Sequence, residues 1–423
     1  MSEVVLGAQP KWMRNTVKQI WIKTLVAALL AGMLLAIAPV AGWAEAPIVI
    51  GEINSYSRFP VFTEPYRRGW ELAMEEVNAA GGVLGRPLET IFRDDAGNPA
   101  DALRAAQELV MRERVDLLAG SLLSNLGLAI SEFAAKRQIV FIAAEPLTDA
   151  LSWSQGNRYT FRLRPSTYMQ AAMLAQEAAR LPAVRWATVA PNYEYGISAV
   201  NNFKALLSAL RPDVVFIEEQ FPALGKLEAG PTVQALINAN PDAIFNVTFA
   251  ADLAEFVREG QTRGLFKNRS VVSMLTGEPE YLLPLGAEAP QGWIATGYPW
   301  YDYHTPAHDA FVQAYQQRWD ENPYMGSLVG YVTLKVIAEA IQKAGSTDSE
   351  ALIAALRGLE MDTPFGPILF RAGDHQATLG TFVGTTTVRN GQGVMVRWRY
   401  ADGADYLPSE EEAAAMRPEG ANR

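Results

Sequence analysis

The sequence of 423 residues contains no cysteine and only three histidines. Without cysteine the chain cannot form a disulfide, bind a metal through thiolates, use a catalytic thiol or carry a lipid on an N-terminal cysteine. Three histidines leave little capacity for metal binding or acid–base chemistry. Basic residues are outnumbered as well, 36 against 46 acidic residues, and this balance argues against nucleic acid as a partner.

Long apolar runs are missing beyond the N-terminus, so the sequence predicts no membrane span there. The N-terminus has a basic lead, an apolar run from Leu25 to Ala38 that Pro39 ends, and small residues within 42–44 where a signal peptidase would cut. The run is shorter than the ~20 residues that a span needs. We therefore predict that residues 1–44 are a cleaved signal peptide rather than a membrane anchor. The mature protein is expected in the periplasm, without a lipid anchor.

Strand and helix patterns alternate along the mature chain. Short apolar runs followed by helical patterns occur at 48–51, 88–92, 115–120 and 139–142. The alternation pauses around 162–166 and then resumes, with further strands at 186–189, 214–217, 243–247, 271–274 and 293–296. Strand-then-helix units of this kind predict an α/β protein whose parallel sheets carry helices on both faces.

The last part of the chain changes character. From Gly297 helical patterns dominate, and strands follow at 368–370, 381–388 and 394–400. Asn390-Gly391 lies between the last two strands and predicts a hairpin turn. The polar, acidic residues from about 403 predict a loosely held tail.

The stretch 115–125 is the first candidate for a binding site. Its apolar half predicts a buried strand ending at Gly120, and Ser124 and Asn125 precede a helical pattern. A strand that leads into a helix start aims free backbone N–H groups at the carboxyl edge of the sheet, where small ligands bind in open α/β folds. We therefore expect this stretch to form one wall of a binding cleft.

Three further motifs, spread over most of the mature chain, indicate a family. They are Gly81-Gly82-Val83-Leu84-Gly85 with Asp94-Asp95 after it, Asn192-Tyr193-Glu194-Tyr195-Gly196, and Thr363-Pro364-Phe365-Gly366-Pro367 before Asp374-His375-Gln376. With their spacing, the chain resembles the type I periplasmic solute-binding proteins, and among them the branched-chain amino acid (leucine/isoleucine/valine-binding) subgroup that serves ABC importers.

The resemblance implies two Rossmann-like α/β lobes with parallel-type sheets flanked by helices, joined by three crossovers, and a ligand between the lobes. We expect the crossovers near 163–166, 297–299 and 374–378. Lobe 1 would then comprise residues 45–164 and 299–375, lobe 2 residues 165–298 and 376–402, and residues 403–423 would be the C-terminal tail.

The resemblance also assigns ligand-binding residues. Ser124 matches the position where the family's amino-acid binders hold the ligand carboxylate, although a serine there can also be only a helix N-cap. Asn125 could serve the same role or merely cap. Phe62, Tyr195 and Phe249 match positions of aromatic side chains facing the ligand, and core packing is the alternative for each. We expect Ser124→Ala to weaken ligand binding without much loss of ligand-free stability.

Two positions depart from the subgroup's pattern. In the loop 144–148, Leu147 takes the place of a ligand-binding threonine unless a one-residue shift restores it with Thr148, and Glu145 adds a negative charge where a ligand carboxylate should lie. The family's ammonium-binding glutamate aligns with Leu275, while Glu278 follows three residues on. Either Glu145 or Glu278 binds the ammonium, or the ligand is not an α-amino acid.

Enzyme motifs are absent: the chain has no G-x-S-x-G, no P-loop and no G-x-G-x-x-G after a strand. His304 and His308 flank Pro306 at a helix start and do not share a helical face, and His375 is expected to make a structural hydrogen bond. We predict a binding protein rather than an enzyme, without cofactor or metal, and monomeric. It would deliver a branched-chain or other hydrophobic amino acid to an ABC permease. An amide, a urea-like compound or an aromatic carboxylate is the alternative ligand, and ligand sensing in a receptor system the alternative role.

Overall fold

A computed structural model describes residues 46–421; the predicted signal peptide lies outside the described residues. A first sheet has five parallel strands in the order β2-β1-β3-β4-β5. The strands are β1 (Ile48–Asn54), β2 (Leu88–Asp94), β3 (Leu117–Gly120), β4 (Phe141–Ala143) and β5 (Thr160–Arg162). The predicted strands are confirmed, and β5 is an addition, because its three residues fall where the apolar pattern pauses.

The helices that follow these strands begin at signals that the sequence carries. They are α1 (Pro60–Ala79), α2 (Pro99–Glu108) and α3 (Ser124–Arg137). Proline opens the first two helices, where its missing N–H is not needed, and the side chain of Asn98 caps α2 by accepting a hydrogen bond from Ala100 N. The start of α3 differs from the expectation, because Leu123 is the N-cap residue and Ser124 is the first residue of the helix.

A second sheet has seven strands in the order β14-β13-β10-β9-β8-β6-β7. Its strands are β6 (Arg185–Val189), β7 (Val215–Gln220), β8 (Ala243–Asn246), β9 (Ser270–Gly277), β10 (Ile294–Gly297), β13 (Thr381–Arg389) and β14 (Gln392–Ala401). The first five are parallel, and the terminal hairpin β13–β14 extends them antiparallel. Asn390 and Gly391 both have positive φ, of 53° and 76°, as a type I′ hairpin turn requires.

The helices of this second part are α4 (Thr167–Ala178), α5 (Glu194–Leu210), α6 (Ala229–Ala239), α7 (Ala250–Thr262) and α8 (Pro279–Leu285). Two of them escaped the sequence analysis. Helix α8 has only seven residues and contains Pro284 as well as Pro279, so its composition resembles a loop. Helix α4 follows the pause in the pattern and was not recognised.

After β10 the chain returns to the first sheet. The elements there are α9 (Pro306–Trp319), α10 (Met325–Ala344), α11 (Ser349–Leu356) and the small antiparallel pair β11 (Glu360–Thr363) and β12 (Gly366–Leu369). Helices α10 and α1 pack closely because Gly330 has no side chain: a Cβ there would lie 2.0 Å from the backbone oxygen of Tyr66. The chain thus forms two α/β halves, each around its own sheet.

The chain passes between the two sheets at three places: after β5, after β10 and before β13. The first and third passages touch, because Arg162 and Gln376 form a parallel bridge. His375 lies between them; its ring stacks on Phe161 at 4.1 Å, and its Nδ1 lies 3.1 Å from the backbone oxygen of Thr160. The histidine is therefore structural, as expected. The lobe boundaries themselves stay a prediction.

The C-terminal segment does not match the expected loosely held tail. It contains a short 3-10 helix (Gly403–Tyr406) and helix α12 (Glu410–Ala415), whose N-cap Ser409 forms a capping box with Glu412. Beyond it, Arg417 donates hydrogen bonds to the backbone oxygens of Ser152, Asn157 and Asp374. The polar, acidic composition could not reveal these distant backbone acceptors.

Within residues 46–421, no helix combines the length and the apolar character that crossing a bilayer requires.

Candidate ligand-binding cleft

Loops that follow parallel strands of both sheets meet at one small cavity. Its volume is about 30 Å³, room for about two water molecules. Six of the eight side chains predicted to bind ligand line this cavity: Phe62, Ser124, Glu145, Tyr195, Phe249 and Glu278. Because the carboxyl edges of such sheets are where small ligands bind, the fold brings the predicted residues to the expected place.

Ser124 lies in the first turn of α3 and is buried. Its Oγ does not cap the helix but accepts hydrogen bonds from the backbone N–H groups of Leu147 and Thr148, at 3.3 and 3.1 Å. A hydroxyl oxygen has two lone pairs, and both are used here. The hydroxyl proton is therefore left to donate to a third group in the cavity.

The loop after β4 carries Glu145 into the cavity. This loop passes directly over helix α3 at Gly127, where a Cβ would lie 2.5 Å from the ring of Pro146. Only glycine permits this approach, which puts Glu145 at the cavity and Leu147 beside Ser124. The structure places Leu147, not Thr148, in the cavity lining.

Thr148 and Asn125 lie outside the cavity lining. The Thr148 hydroxyl donates to Glu194 Oε1 at 2.7 Å and accepts from Ala150 N at 3.2 Å. The Thr148 hydroxyl is thus engaged away from the cavity, and a ligand contact through the one-residue shift stays a prediction. Asn125 is half-buried, and its Oδ1 has no hydrogen-bond partner among residues 46–421.

Arg164 is the charged group at the centre of the cavity, and sequence analysis missed it. It is 5% exposed; its Nη1 lies 3.5 Å from Glu145 Oε1, and its Nη2 donates to Glu278 Oε1. Burial alone lowers the pKa of Arg164, but the carboxylates of Glu278 and Glu145 outweigh burial and raise it. One guanidinium thus joins carboxylates from the two halves of the molecule.

The carboxyl groups outnumber the guanidinium. Burial raises the pKa of Glu145 to about 7, with Arg164 lowering it and Glu278 raising it. Burial also raises the pKa of Glu278, against the effect of Arg164. Glu145 Oε2 has no hydrogen-bond partner among the described residues. With both glutamates ionised, the group carries one net negative charge, so it favours a proton or a ligand cation beside Glu145.

Aromatic rings form the rest of the wall. Phe62 of α1 stacks on Phe249 at 4.9 Å between ring centroids, and Tyr281 of α8 lies 5.3 Å from Phe62. Tyr193 and Tyr195, at the start of α5, approach from the other side with centroids 6.0 Å apart. Apolar and aromatic walls with a few placed polar groups are what small-molecule sites require.

The cleft is closed in this structure. The Phe62–Phe249 stack, the hydrogen bond from Thr148 to Glu194 and the ion pair of Arg164 with Glu278 all connect the two halves. A cavity of about 30 Å³ is too small for a molecule the size of leucine unless the rings move or the halves separate. Side-chain rearrangement or opening is therefore part of ligand entry.

Arg164 and Tyr281 escaped the sequence analysis for different reasons. Arg164 alternates with apolar residues at the pause in the pattern, and nothing local tells that it is buried, because its partner Glu278 lies 114 residues away. Tyr281 belongs to the unrecognised helix α8. The two remaining histidines lie elsewhere: His308 is 2.7 Å from the Tyr298 hydroxyl, and exposed His304 pairs with Asp309 at 2.9 Å.

Comparison with known proteins gives the family. A profile described as "Periplasmic binding protein" matches residues 55–392. A Leu/Ile/Val-binding protein homolog of Brucella melitensis is 25% identical over 359 residues, covering 80% of this chain and 87% of the relative.

Solved structures agree on the fold. The leucine-, isoleucine-, valine-, threonine- and alanine-binding protein of Brucella ovis in a closed conformation superposes with a TM-score of 0.78 at 19% identity, covering 89% of this chain and all of that one. An ABC transporter solute-binding protein of Rhodopseudomonas palustris, in complex with 3,4-dihydroxybenzoic acid, gives 0.75 at 22% identity, covering 84% and 98%. The chain belongs to the periplasmic binding protein family, in the type I group of the branched-chain amino acid binders, and is a binding protein rather than an enzyme.

Proposed function

We propose that this protein is the extracytoplasmic solute-binding component of an ABC importer and that it captures an α-amino acid with an apolar side chain. The observation that carries the proposal is the set of polar groups around the cavity. Ser124 retains a hydroxyl proton to donate, Arg164 supplies a cation, and Glu145 has a carboxyl oxygen without a partner. The carboxylate of a zwitterionic amino acid can bind Ser124 and Arg164, and its ammonium group can bind Glu145.

The aromatic residues suit the apolar side chain of such a ligand. Phe62, Tyr195 and Phe249 present apolar surface to the cavity, and burying an aliphatic side chain against such surface contributes about 1.5–3 kcal/mol. Charge-assisted hydrogen bonds to the ligand's ionic groups contribute about 1.5–3 kcal/mol each. Both contributions require the two halves to be closed around the ligand, so the ligand favours the closed form that a permease would recognise.

An aromatic carboxylate is the second candidate, favoured by Arg164 and by the dihydroxybenzoate complex of the R. palustris protein. Such a ligand adds a negative charge to a cavity that already has two carboxyl groups for one guanidinium. It could bind only with Glu145 protonated, and the pKa of Glu145 near 7 makes that proton available. Affinity for an aromatic carboxylate would therefore rise as the pH falls below 7, whereas affinity for an amino acid would not.

A thermal-shift screen tests the proposal. The panel comprises aliphatic and aromatic amino acids, amides, urea and benzoates, each at pH 6 and pH 8. A ligand at ~100 times its dissociation constant stabilises the fold by roughly 2.7 kcal/mol. We expect apolar amino acids to raise the melting temperature of the wild type and to leave that of Arg164→Met unchanged. The proposal fails if no compound of these classes stabilises the wild type.

The remaining parts of the proposal concern the location, the oligomeric state and the partner of the protein. Export to the periplasm depends on residues 1–44, and the monomeric state and the permease partner follow from the resemblance. A receptor role is the alternative to transport. A permease mixed with the ligand-loaded protein in vesicles distinguishes the two, because only a transport component drives ATP-dependent uptake.

A further inference from the structure

A second cavity lies directly beside the first one. It has a volume of about 250 Å³ and is bounded by helices α1, α7 and α8. Phe62 and Tyr281 line both cavities, so these two rings are the partition between them. The far side consists of small or aliphatic side chains, including Ala250 and Ala254, and it is open to solvent, since Val61 there is 49% exposed. A cavity of about 150 Å³ already accommodates a benzene ring.

The partition is made of side chains rather than backbone. The rings of Phe62 and Tyr281 are 5.3 Å apart at 58° to one another, and both rings line both cavities. Because the first cavity is too small for a leucine-sized ligand, binding requires either that these rings move or that the two halves separate. The second cavity is the adjoining space into which a bound ligand can extend.

Glu280 is the polar residue of the second cavity. It is 3% exposed, and its Oε1 accepts a hydrogen bond from Gly326 N at 2.8 Å. Its Oε2 has no hydrogen-bond partner among residues 46–421. A buried polar atom without a partner is unfavourable, so this oxygen gains from any ligand group that reaches it and can hydrogen-bond to it.

The protonation of Glu280 indicates which group that is. Burial, with Glu278 and Glu145 contributing, raises the pKa of Glu280 to about 8. At neutral pH the acid is therefore protonated, and since Oε1 accepts from Gly326, the proton on Oε2 can be donated. A hydroxyl group accepts this proton, and it can also donate to the carboxylate when Glu280 ionises at higher pH.

Resting on the proposed function, we infer that the ligand extends past Phe62 and Tyr281 into the second cavity with a ring-sized apolar group that ends in a hydroxyl bonded to Glu280. The ligand class is then a hydroxylated aromatic amino acid or a hydroxylated aromatic acid rather than a small aliphatic amino acid. One ligand of this size can reach both ends, because Glu278, which lines the first cavity, and Glu280, which lines the second, are two residues apart at the start of α8.

Two ligand pairs that differ only by a hydroxyl test this inference: tyrosine against phenylalanine, and 4-hydroxybenzoate against benzoate. Affinities are measured by titration calorimetry, with leucine as the reference. In the wild type, the hydroxylated member of at least one pair is expected to bind about 10-fold more tightly, the effect of one hydrogen bond to a buried group. In Glu280→Leu this preference disappears, and in Glu280→Gln, which can still hydrogen-bond to both groups, it is largely retained.

A second set of variants tests whether the ligand occupies the second cavity. Ala254→Phe, with Ala254→Leu as a milder change, should fill the cavity, lowering the affinity for ring ligands at least 10-fold and leaving leucine within 3-fold. Ala235→Phe is the matched control, since Ala235 is a similarly half-buried alanine of α6 outside the lining of both cavities. It should bind all ligands as the wild type does.

The possible results distinguish a failure of this inference from a failure of the proposed function. Three results overturn the inference and leave the proposed function intact. The first is that leucine binds and neither ligand pair shows a hydroxyl preference, and the second is that the preference survives in Glu280→Leu. The third is that a folded Ala254→Leu variant binds ring ligands as the wild type does. Failure of leucine and of every ring ligand to bind the wild type overturns the proposed function itself.

Discussion

Arg162 and Arg164 lie two residues apart in the first passage between the sheets, and both are buried, at 1% and 5% exposure. Their partners differ completely. Arg162 donates to neutral oxygens: Gln376 Oε1 and the backbone oxygens of Leu147 and Thr148. Arg164 instead pairs with the carboxylates of Glu145 and Glu278. Residues i and i+2 of an extended segment point to the same side, so the two guanidinium groups lie side by side in different environments.

The difference separates a structural arginine from a ligand-binding one. Burial lowers the pKa of Arg162 to about 10, and its hydrogen bonds join the first and third passages to the loop after β4. Its partners are two backbone oxygens and the buried side-chain oxygen of Gln376, all of them neutral. Arg164 faces the cavity and has a surplus of carboxylate around it, so a ligand with its own charges can rearrange these contacts. The partners of a buried arginine, rather than its burial, therefore indicate whether its role is structural or ligand-binding.

The largest expected effect is on Arg162. Substitution Arg162→Met removes three hydrogen bonds from a charged donor, to Gln376 Oε1 and to the backbone oxygens of Leu147 and Thr148, each contributing about 1.5–3 kcal/mol. We expect the free energy of unfolding to fall by about 4 kcal/mol, measured by urea denaturation, with the ligand affinity of the folded protein within 3-fold of the wild type. A loss of stability below about 1 kcal/mol would remove the contrast with Arg164.

Arg164→Met should act on binding instead. The ligand carboxylate loses its cation, and we expect affinity to fall at least 100-fold, which corresponds to about 2.7 kcal/mol. The stability loss should be smaller than for Arg162→Met, because the uncompensated negative charge left on the buried Glu145 and Glu278 can be removed by proton uptake. Titration calorimetry and denaturation of the two methionine variants, measured side by side, provide the check. Equal losses of affinity in both variants would contradict the assignment.

Ser124→Ala sharpens the comparison within helix α3. The ligand loses one hydrogen bond, so affinity should fall about 10-fold. Contrary to the expectation from sequence, stability should fall too, by about 1–3 kcal/mol, because Leu147 N and Thr148 N lose their acceptor. Ser131→Ala is the control: Ser131 is a buried serine of the same helix, hydrogen-bonded to Thr160 at 2.8 Å and outside the cavity lining. It should lower stability and leave affinity unchanged.

The last prediction concerns pH. Glu145 and Glu280 have folded-state pKa values raised to about 7 and about 8, well above the ordinary value of 4.5. A carboxyl group with a raised pKa contributes stability that is fully present below pH 4.5 and is lost as the pH rises through its folded-state pKa. The melting temperature of the ligand-free protein should therefore fall between pH 5 and pH 8. Glu280→Gln should flatten this slope, and a slope unchanged in that variant would contradict the protonation of Glu280.

The fold was largely predictable because the strand and helix periods are strong. Where a strand is as short as β5 and ends in Arg162, or a helix as short as α8 contains two prolines, the local pattern is weak and tertiary contacts decide. The C-terminal segment belongs to the same group, since its docking depends on Arg417 reaching backbone oxygens far away in the chain.

The site was predictable as far as motifs and the resemblance reach. Ser124, Tyr195 and Phe249 follow strand ends, so their convergence follows from the topology. Whether Leu147 or Thr148 lines the cavity could be decided only from the backbone structure, because Gly127 fixes how the loop crosses the helix. Arg164 and Glu280 could not be recognised, since the burial of a charged side chain depends on groups far away in the sequence.

Titration calorimetry of the wild type, Arg162→Met and Arg164→Met with the best ligand of the thermal-shift panel examines the central claim most directly. If a solute is held between the halves by the group around Arg164, the wild type and Arg162→Met will bind one ligand per chain with affinities within 3-fold, and Arg164→Met will show at least a 100-fold loss. Binding by Arg164→Met at wild-type affinity would place the ligand elsewhere in the molecule.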